Sequence, residues 1–203
     1  MPVPASSSID NVAVADADLV QLAQSGDTFA FDHIVTRYRG KVFGMCYQLV
    51  QNEQDAWDLA QDSFLKAWKA LPSFKGDSSF YTWIYRIAHN TCYDWLRKRK
   101  IESAGEFNDE IQRTVAAGAE AVPKSNQRPD EVLKNMELGD RIKEAIAQLT
   151  PDHRTIIVLR EVEGQSYEEI AKIMETSVGT VMSRLFYARK KLQELLKDTY
   201  ENH

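Results

Sequence analysis

The sequence predicts an all-α chain folded as two small helical domains joined by a flexible linker. Three observations predict it. No stretch alternates apolar and polar residues as a half-buried strand does. Apolar residues recur at spacings of three and four over two separate regions. Between those regions, residues 101–128 hold few large apolar side chains, with five acids and three bases, a composition suited to a tether. At 203 residues, 43% hydrophobic and 27% charged, the chain has a globular balance and enough length for two cores.

Each element has its own signal. Residues 1–15 are small and mixed, and read as a flexible leader. A short helix follows over Asp16 to Gln24 and stops at Ser25-Gly26. Asp27 stands as the N-cap of a long helix whose apolar face includes Phe29, Phe31, Ile34, Val35, Tyr38, Val42, Phe43, Met45, Cys46 and Leu49. Gly40 and Gly44 weaken that helix by about 1 kcal/mol each relative to alanine unless close packing needs them. Asn52 opens a third helix with Ala56, Trp57, Leu59, Ala60, Phe64, Ala67, Trp68 and Leu71 facing inward, and Pro72 ends it. The loop Ser73 to Ser79 leads into a helix from Phe80 to Lys100 that buries Trp83, Ile84, Ile87 and Trp95. The first domain is therefore 16–100 and the linker 101–128.

The second domain is 129–198. Pro129 suits a first helical turn, and Val132, Leu133, Met136, Leu138, Ile142, Ile146 and Leu149 form the apolar face behind it. Thr150-Pro151 restarts a helix through Ile156, Val158, Leu159 and Val162, closed by Gly164. Ser166 to Glu169 is an S-x-x-E capping box before Ile170, Ala171 and Ile173. Ser177 caps a last helix that reaches Lys197.

Charge narrows the function. The net charge of −5 by itself argues against nucleic-acid binding, but the charges are sorted along the chain. Glu53, Asp55, Asp58 and Asp62 stand together without a base. Arg86 to Lys100 carries five bases against Asp94, and Val181 to Lys197 five against Glu194. Such sorting implies two kinds of partner. The spacing of Asp55, Asp58 and Asp62 puts their carboxylates on one helical face, which fits a basic protein surface or an ordinary solvated face.

The last two helices follow the plan of a helix-turn-helix. Ala171 takes the small position of the first and Val181, ten residues on, the apolar slot of the second; the turn position often held by glycine is Glu175. Ser177, Thr180, Ser183 and Arg184 then lie near the end that reaches base edges, with Arg189, Lys190 and Lys191 placed for phosphates. A packing helix with a solvated basic face has the same pattern. From Phe74 to Trp95 lie seven of the twenty aromatic residues: Phe74, Phe80, Tyr81, Trp83, Tyr85, Tyr93 and Trp95. One helix stripe cannot bury them all, so some rings are expected to be exposed, Phe74 and Tyr81 foremost, beside Lys75, Arg86 and the Arg97 to Lys100 cluster. Exposed rings among cations make a stacking platform for unpaired bases. Asn90, with a donor and an acceptor, suits reading a base edge, although an exposed helix asparagine often has no such role.

Other chemistries lack their residues. No run of about 18 apolar residues and no signal-peptide pattern occurs, so the chain is expected in the cytoplasm with no membrane insertion. Cys46 and Cys92 are expected as free thiols. His89 and Cys92 lie three apart without further ligands, so no metal is expected. His33, His89, His153 and His203 are scattered, and no phosphate-binding loop or nucleophile elbow exists. The reading is of a protein with no cofactor and no catalytic residue, and not an enzyme.

Together the segments DAWDLAQDSFLKAWKAL, SFKGDSSFYTWIYRIAHNTCYDWLRKRK and LTPDHRTIIVLREVEGQSYEEIAKIMETSVGTVMSRLFYARKKL closely resemble the extracytoplasmic-function (ECF) sigma factors of bacterial RNA polymerase. The likeness covers about residues 16–198 and implies a sigma2 domain, a linker and a sigma4 domain. It implies that Asp55, Asp58, Gln61 and Asp62 dock on the beta-prime clamp helices of core polymerase. Phe74 to Ser79, with Phe80, Tyr81 and Asn90, would fall where the family captures a flipped minus-ten base. Sigma4 would dock on the beta flap and set Ser183, Arg184, Phe186 and Arg189 against the minus-thirty-five element. Control by a separate anti-sigma factor is implied as well. Met182 and Tyr187 depart from the resemblance, standing where arginine is frequent in the family. The free chain is expected to bind promoter DNA poorly, since neither basic patch offers enough phosphate contacts to overcome the net charge at physiological salt. A stand-alone activator using only the helix-turn-helix would leave the ring-rich segment without a use.

Overall fold

The computed structural model describes residues 14–105 and 129–197, with side chains described over 14–101 and 138–197. The expected leader 1–13, the linker from 106 to 128, and the side chains of Val132, Leu133 and Met136 lie outside the described residues. Those described form eight α-helices without a strand: α1 (Asp16–Gln24), α2 (Thr28–Val50), α3 (Glu53–Ala70), α4 (Phe80–Gly105), α5 (Pro129–Ala147), α6 (Pro151–Ile157), α7 (Tyr167–Ile173) and α8 (Val178–Leu195). The fold is two helical domains, as expected.

The caps are the ones the sequence marks. Asp27 accepts from the backbone N–H groups of Phe29 and Ala30, and Asn52 from that of Asp55. Ser166 and Glu169 close the full capping box, and Ser177 accepts from Thr180 N–H. Each satisfies donors that a helix start leaves open.

In the first domain α1 to α4 pack around Ile34, Val42, Cys46, Ala56, Ile84, Ala88 and Cys92, all fully buried. Asp16 holds α1 to α2 by bonding Arg37 and Tyr38. Gln24 donates to the carbonyls of Leu71 and Phe74 at 2.9 and 2.8 Å, tying α1 to the loop after α3. A 3-10 turn, Leu71–Ser73, carries Pro72. Helix α4 runs five residues past the expected end at Lys100.

Four apolar positions depart from expectation here. Phe29, in the first turn of α2, is 76% exposed. Ile87 and Trp95 are half-buried. After α6 the chain widens into a π-helical turn, Val158–Val162, which moves Val162 off the apolar face and leaves it 69% exposed.

Arg154 is the residue that sequence reading missed. It is 6% exposed, and its guanidinium donates to the carbonyls of Ile146, Ala147 and Leu149 at 2.7 to 3.2 Å. A fourth bond, 2.5 Å to the Gln48 carbonyl, reaches α2. One side chain thus caps α5 and joins the domains, the rigid fork of arginine serving several oxygens at once. Its place in an apolar helical pattern offered no signal of this.

Candidate polymerase and nucleic-acid interfaces

Three surfaces carry the candidate residues. On α3, Asp58, Gln61 and Asp62 are exposed, and Gln54 donates to Asp58 at 3.4 Å. Asp55 differs: it is half-buried and pairs with Arg99 of α4 at 3.3 Å, where Arg99 also lies 4.9 Å above the Trp95 ring. The acidic face therefore has two exposed carboxylates, Asp58 and Asp62, and one that is already shared with the basic cluster.

Trp57 and Trp68 were expected inward, and the structure corrects this. Trp57 is 41% exposed and Trp68 36%, with Leu65 at 59%. Trp57 stacks on Phe43 at 4.2 Å, and Trp68 meets Phe31 at 4.8 Å with the two planes tilted by 53°. Positions 57, 61, 65 and 68 follow helical spacing, so they form a second stripe beside the acids. That stripe was legible in the sequence but merges with the core stripe when only one apolar face is assumed.

The ring-rich segment is packed, contrary to expectation. None of its seven aromatics is exposed: Phe80, Trp83 and Tyr85 are buried, and Phe74, Tyr81, Tyr93 and Trp95 half-buried. Phe74 sits 4.9 Å from Trp83 and edge-on to Phe80 at 6.0 Å, while Tyr81 stacks on Tyr85 at 4.1 Å. The rings bury one another and the second domain covers others, which no one-helix argument anticipates. Lys75 and Arg86 are exposed; Asn90 is half-buried, its Oδ1 3.3 Å from His89 Nδ1.

The cover comes from residues after α5. Tyr81 donates to Glu163 at 3.3 Å, and Lys41 approaches the same carboxylate at 3.8 Å. Tyr93 donates to Asp152, which also pairs with Arg184 at 2.9 Å. Burial, then the hydrogen bond to Asp152, pushes the Tyr93 hydroxyl far above its usual range; burial does the same to Tyr81, helped by Tyr85 and Glu163. Both remain neutral donors. His89 is 7% exposed, its Nε2 buried without a hydrogen-bond partner, and burial lowers its pKa.

On α8 the expected residues separate into three roles. The Ser177 and Thr180 hydroxyls lie 2.9 Å apart in the cap. Arg184 is held by Asp152, and Arg189 bonds Glu161 through Nε and Nη2 at 3.0 and 2.6 Å, an interaction that raises its pKa. Ser183, Phe186 and Lys190 are exposed, as is Lys191, which pairs with Glu194 at 3.5 Å. Ala171 and Val181 are both buried, and Glu175 takes a left-handed φ of 49° at the turn.

Comparison with known proteins matches this arrangement. The Sigma-70 region 2 family matches residues 34–101 and Sigma-70 region 4 residues 139–192. The RNA polymerase sigma-H factor of Pseudomonas aeruginosa is 41% identical over 187 residues, spanning 90% of this chain and 96% of that one. The ECF RNA polymerase sigma-E factor of Escherichia coli K12 is 40% identical over 190 residues, 91% of this chain and 97% of that protein. The chain belongs to the ECF RNA polymerase sigma factors. Among solved structures, CnrH in complex with the cytosolic domain of CnrY matches with a TM-score of 0.64 at 28% identity, covering 91% of this sigma factor and 99% of CnrH. The sigma factor RpoE bound to the anti-sigma factor NepR from Bartonella quintana also gives 0.64, at 29% identity over 82% and 96% of the two chains.

Proposed function

We propose that this sigma factor, a non-enzymatic subunit acting in the cytoplasm, divides promoter recognition between its domains. Sigma2 docks on the beta-prime clamp helices through Asp58, Gln61 and Asp62, with Asp55 released from Arg99 as the partner surface arrives. Phe74, Lys75, Tyr81, Arg86 and Asn90 then hold unstacked minus-ten bases, which rings and cations suit by stacking and charge, with buried Phe80 backing the Phe74 ring. Sigma4 docks on the beta flap and lays α8 in the major groove of the minus-thirty-five duplex, with Ser183, Arg184, Phe186, Arg189 and Lys190 toward the DNA and Ser177 and Thr180 holding the helix start.

The observation that carries this reading is the sorting of charge between two exposed helices. Helix α3 presents Asp58 and Asp62, whereas α8 has no acid before Glu194. Arg184 and Arg189 are paired within the chain, so promoter binding exchanges Asp152 and Glu161 for phosphates or bases. Core polymerase favours that exchange by holding both domains against one promoter, which raises the effective concentration of the second contact. Tyr81 and Tyr93, covered by the second domain, become available in the same step. A separate anti-sigma protein that clasps the paired domains would block it, as fits the complex of the similar sigma factor RpoE with the anti-sigma factor NepR.

Run-off transcription with core polymerase on a promoter library randomised at both elements tests the reading. It should return two preferred elements at fixed separation. A chain that fails to join core stoichiometrically, or that selects no sequence at either element, overturns it.

A further inference from the structure

The exposed face of α8 carries apolar residues where a groove-reading helix needs groups that recognise bases. Val181, Leu185 and Ala188 are buried on the opposite face, while Val178 is 36% exposed, Met182 54%, Phe186 63% and Tyr187 58%. At about 100° per residue, Arg184 and Arg189 fall on the two margins of that face. Ser183 and Lys190 stand at its centre, Phe186 and Tyr187 flank them on either side, and Met182 lies next to Phe186 toward the Arg189 margin. The two rings support each other at 5.4 Å with planes 77° apart.

The polar means of reading bases are scarce there. Guanine is read by arginine or lysine and adenine by asparagine or glutamine. No asparagine occurs in α8 and its one glutamine is Gln193, near the far end. Both arginines stand at the margins, beside the groove walls, so once released from Asp152 and Glu161 they are placed for backbone phosphates. The remaining base feature an apolar side chain can recognise is the C5 methyl of thymine. Charge fits duplex DNA as the occupant of this face: no acid lies between Ser177 and Lys191, and Lys190 and Lys191 are both exposed.

We infer that Met182, Phe186 and Tyr187 are specificity-determining residues that read thymine methyl groups, giving this sigma factor a minus-thirty-five element rich in A·T pairs. The inference rests on the proposed placement of α8 in the major groove. Met182 and Phe186 are separated by about 6 Å along the helix, close to two base-pair steps of ~3.4 Å. Thymines about two steps apart are therefore expected. The flexible thioether of Met182 adapts to either strand's methyl, and the phenyl ring of Phe186 presents a fixed surface.

Holoenzyme, formed from the full chain and core polymerase, tests this in two stages. Selection from a library randomised at the minus-thirty-five region should enrich thymines. Competitive binding then compares the selected promoter with one in which those thymines are replaced by deoxyuridine, which removes the methyl alone. Each lost methyl should weaken binding about four-fold, the value of one buried carbon. Phe186→Ala and Met182→Ala should each abolish the response at one position, and Met182→Arg should move selection toward G·C. All three variants change exposed side chains, and stoichiometric binding to core confirms that they fold. A sequence preference indifferent to deoxyuridine overturns the inference and leaves the groove placement standing. No preference at the minus-thirty-five region, with a minus-ten preference retained, overturns both.

Discussion

Glu175 shows how one backbone angle decides a turn. Its φ of 49° is a conformation that costs a residue with a Cβ about 1–2 kcal/mol. Glycine lacks that penalty but loses more entropy on folding. Glu175→Gly should therefore stabilise the second domain by about 0.5 kcal/mol in chemical denaturation, and a loss of stability would show that the carboxylate has a compensating contact. Arg154 lies at the other extreme. Arg154→Met keeps the volume and strands four carbonyls, so a loss of about 2–3 kcal/mol is expected, with the domains separating more readily because the bond to Gln48 goes too. Neither residue stands out by its type: an arginine or a glutamate at these places reads as surface until the chain around it is folded.

At the scale of the element, α2 and α3 make opposite points. A Cβ added at Gly40 meets nothing within 4 Å, and its φ is not in the left-handed region, so close packing does not require the glycine. Gly40→Ala should raise stability by about 0.5–1 kcal/mol, measured as a shift of the urea midpoint at constant m-value. In α3 the hydrophobic stripe of Trp57, Leu65 and Trp68 runs beside Asp58 and Asp62, the combination of apolar centre and charged margin common in protein interfaces. Replacing Leu65 and Trp68 together by alanine should weaken binding to core polymerase at least ten-fold, more than Asp55→Asn, because Asp55 is already partnered by Arg99. Fluorescence anisotropy of labelled chain against core would read both. The caps at Asp27, Asn52, Ser166 and Ser177 were legible because capping is local chemistry within four residues. The second stripe of α3 was legible in spacing alone, but only packing decides which of two stripes is inside.

The whole molecule is a pair of domains closed over their own candidate DNA-contacting residues. The bonds that close it are modest: Asp152 and Arg184 have side chains about one-third exposed, and such pairs contribute about 0–1 kcal/mol. A structure held this way can open when a larger partner offers better contacts. Asp152→Asn with Glu163→Gln should enlarge the radius of gyration of the free chain in X-ray scattering; no change would assign closure to Arg154 and apolar contacts. His89 adds a pH response. The Asp152 and Glu175 carboxylates and Arg184 from the second domain, and Asn90 and Tyr93 from α4, surround it, and burial lowers its pKa below 6.5. The unfolded or opened chain binds the proton more readily, so stability is complete above about pH 6.5 and falls as pH drops below that toward the folded-state pKa. His89→Phe should flatten the dependence measured from pH 7.5 to 5.5. Helix starts, capping, the sorted charges and the helix-turn-helix plan were determined by the sequence alone, because each follows from periodicity or from neighbours a few residues apart. The covering of Tyr81 and Tyr93, the pairing of Arg184 with Asp152 and the clamp made by Arg154 were decided only in the folded molecule. Those contacts join residues as much as 106 positions apart, and no local spacing encodes which distant surface arrives.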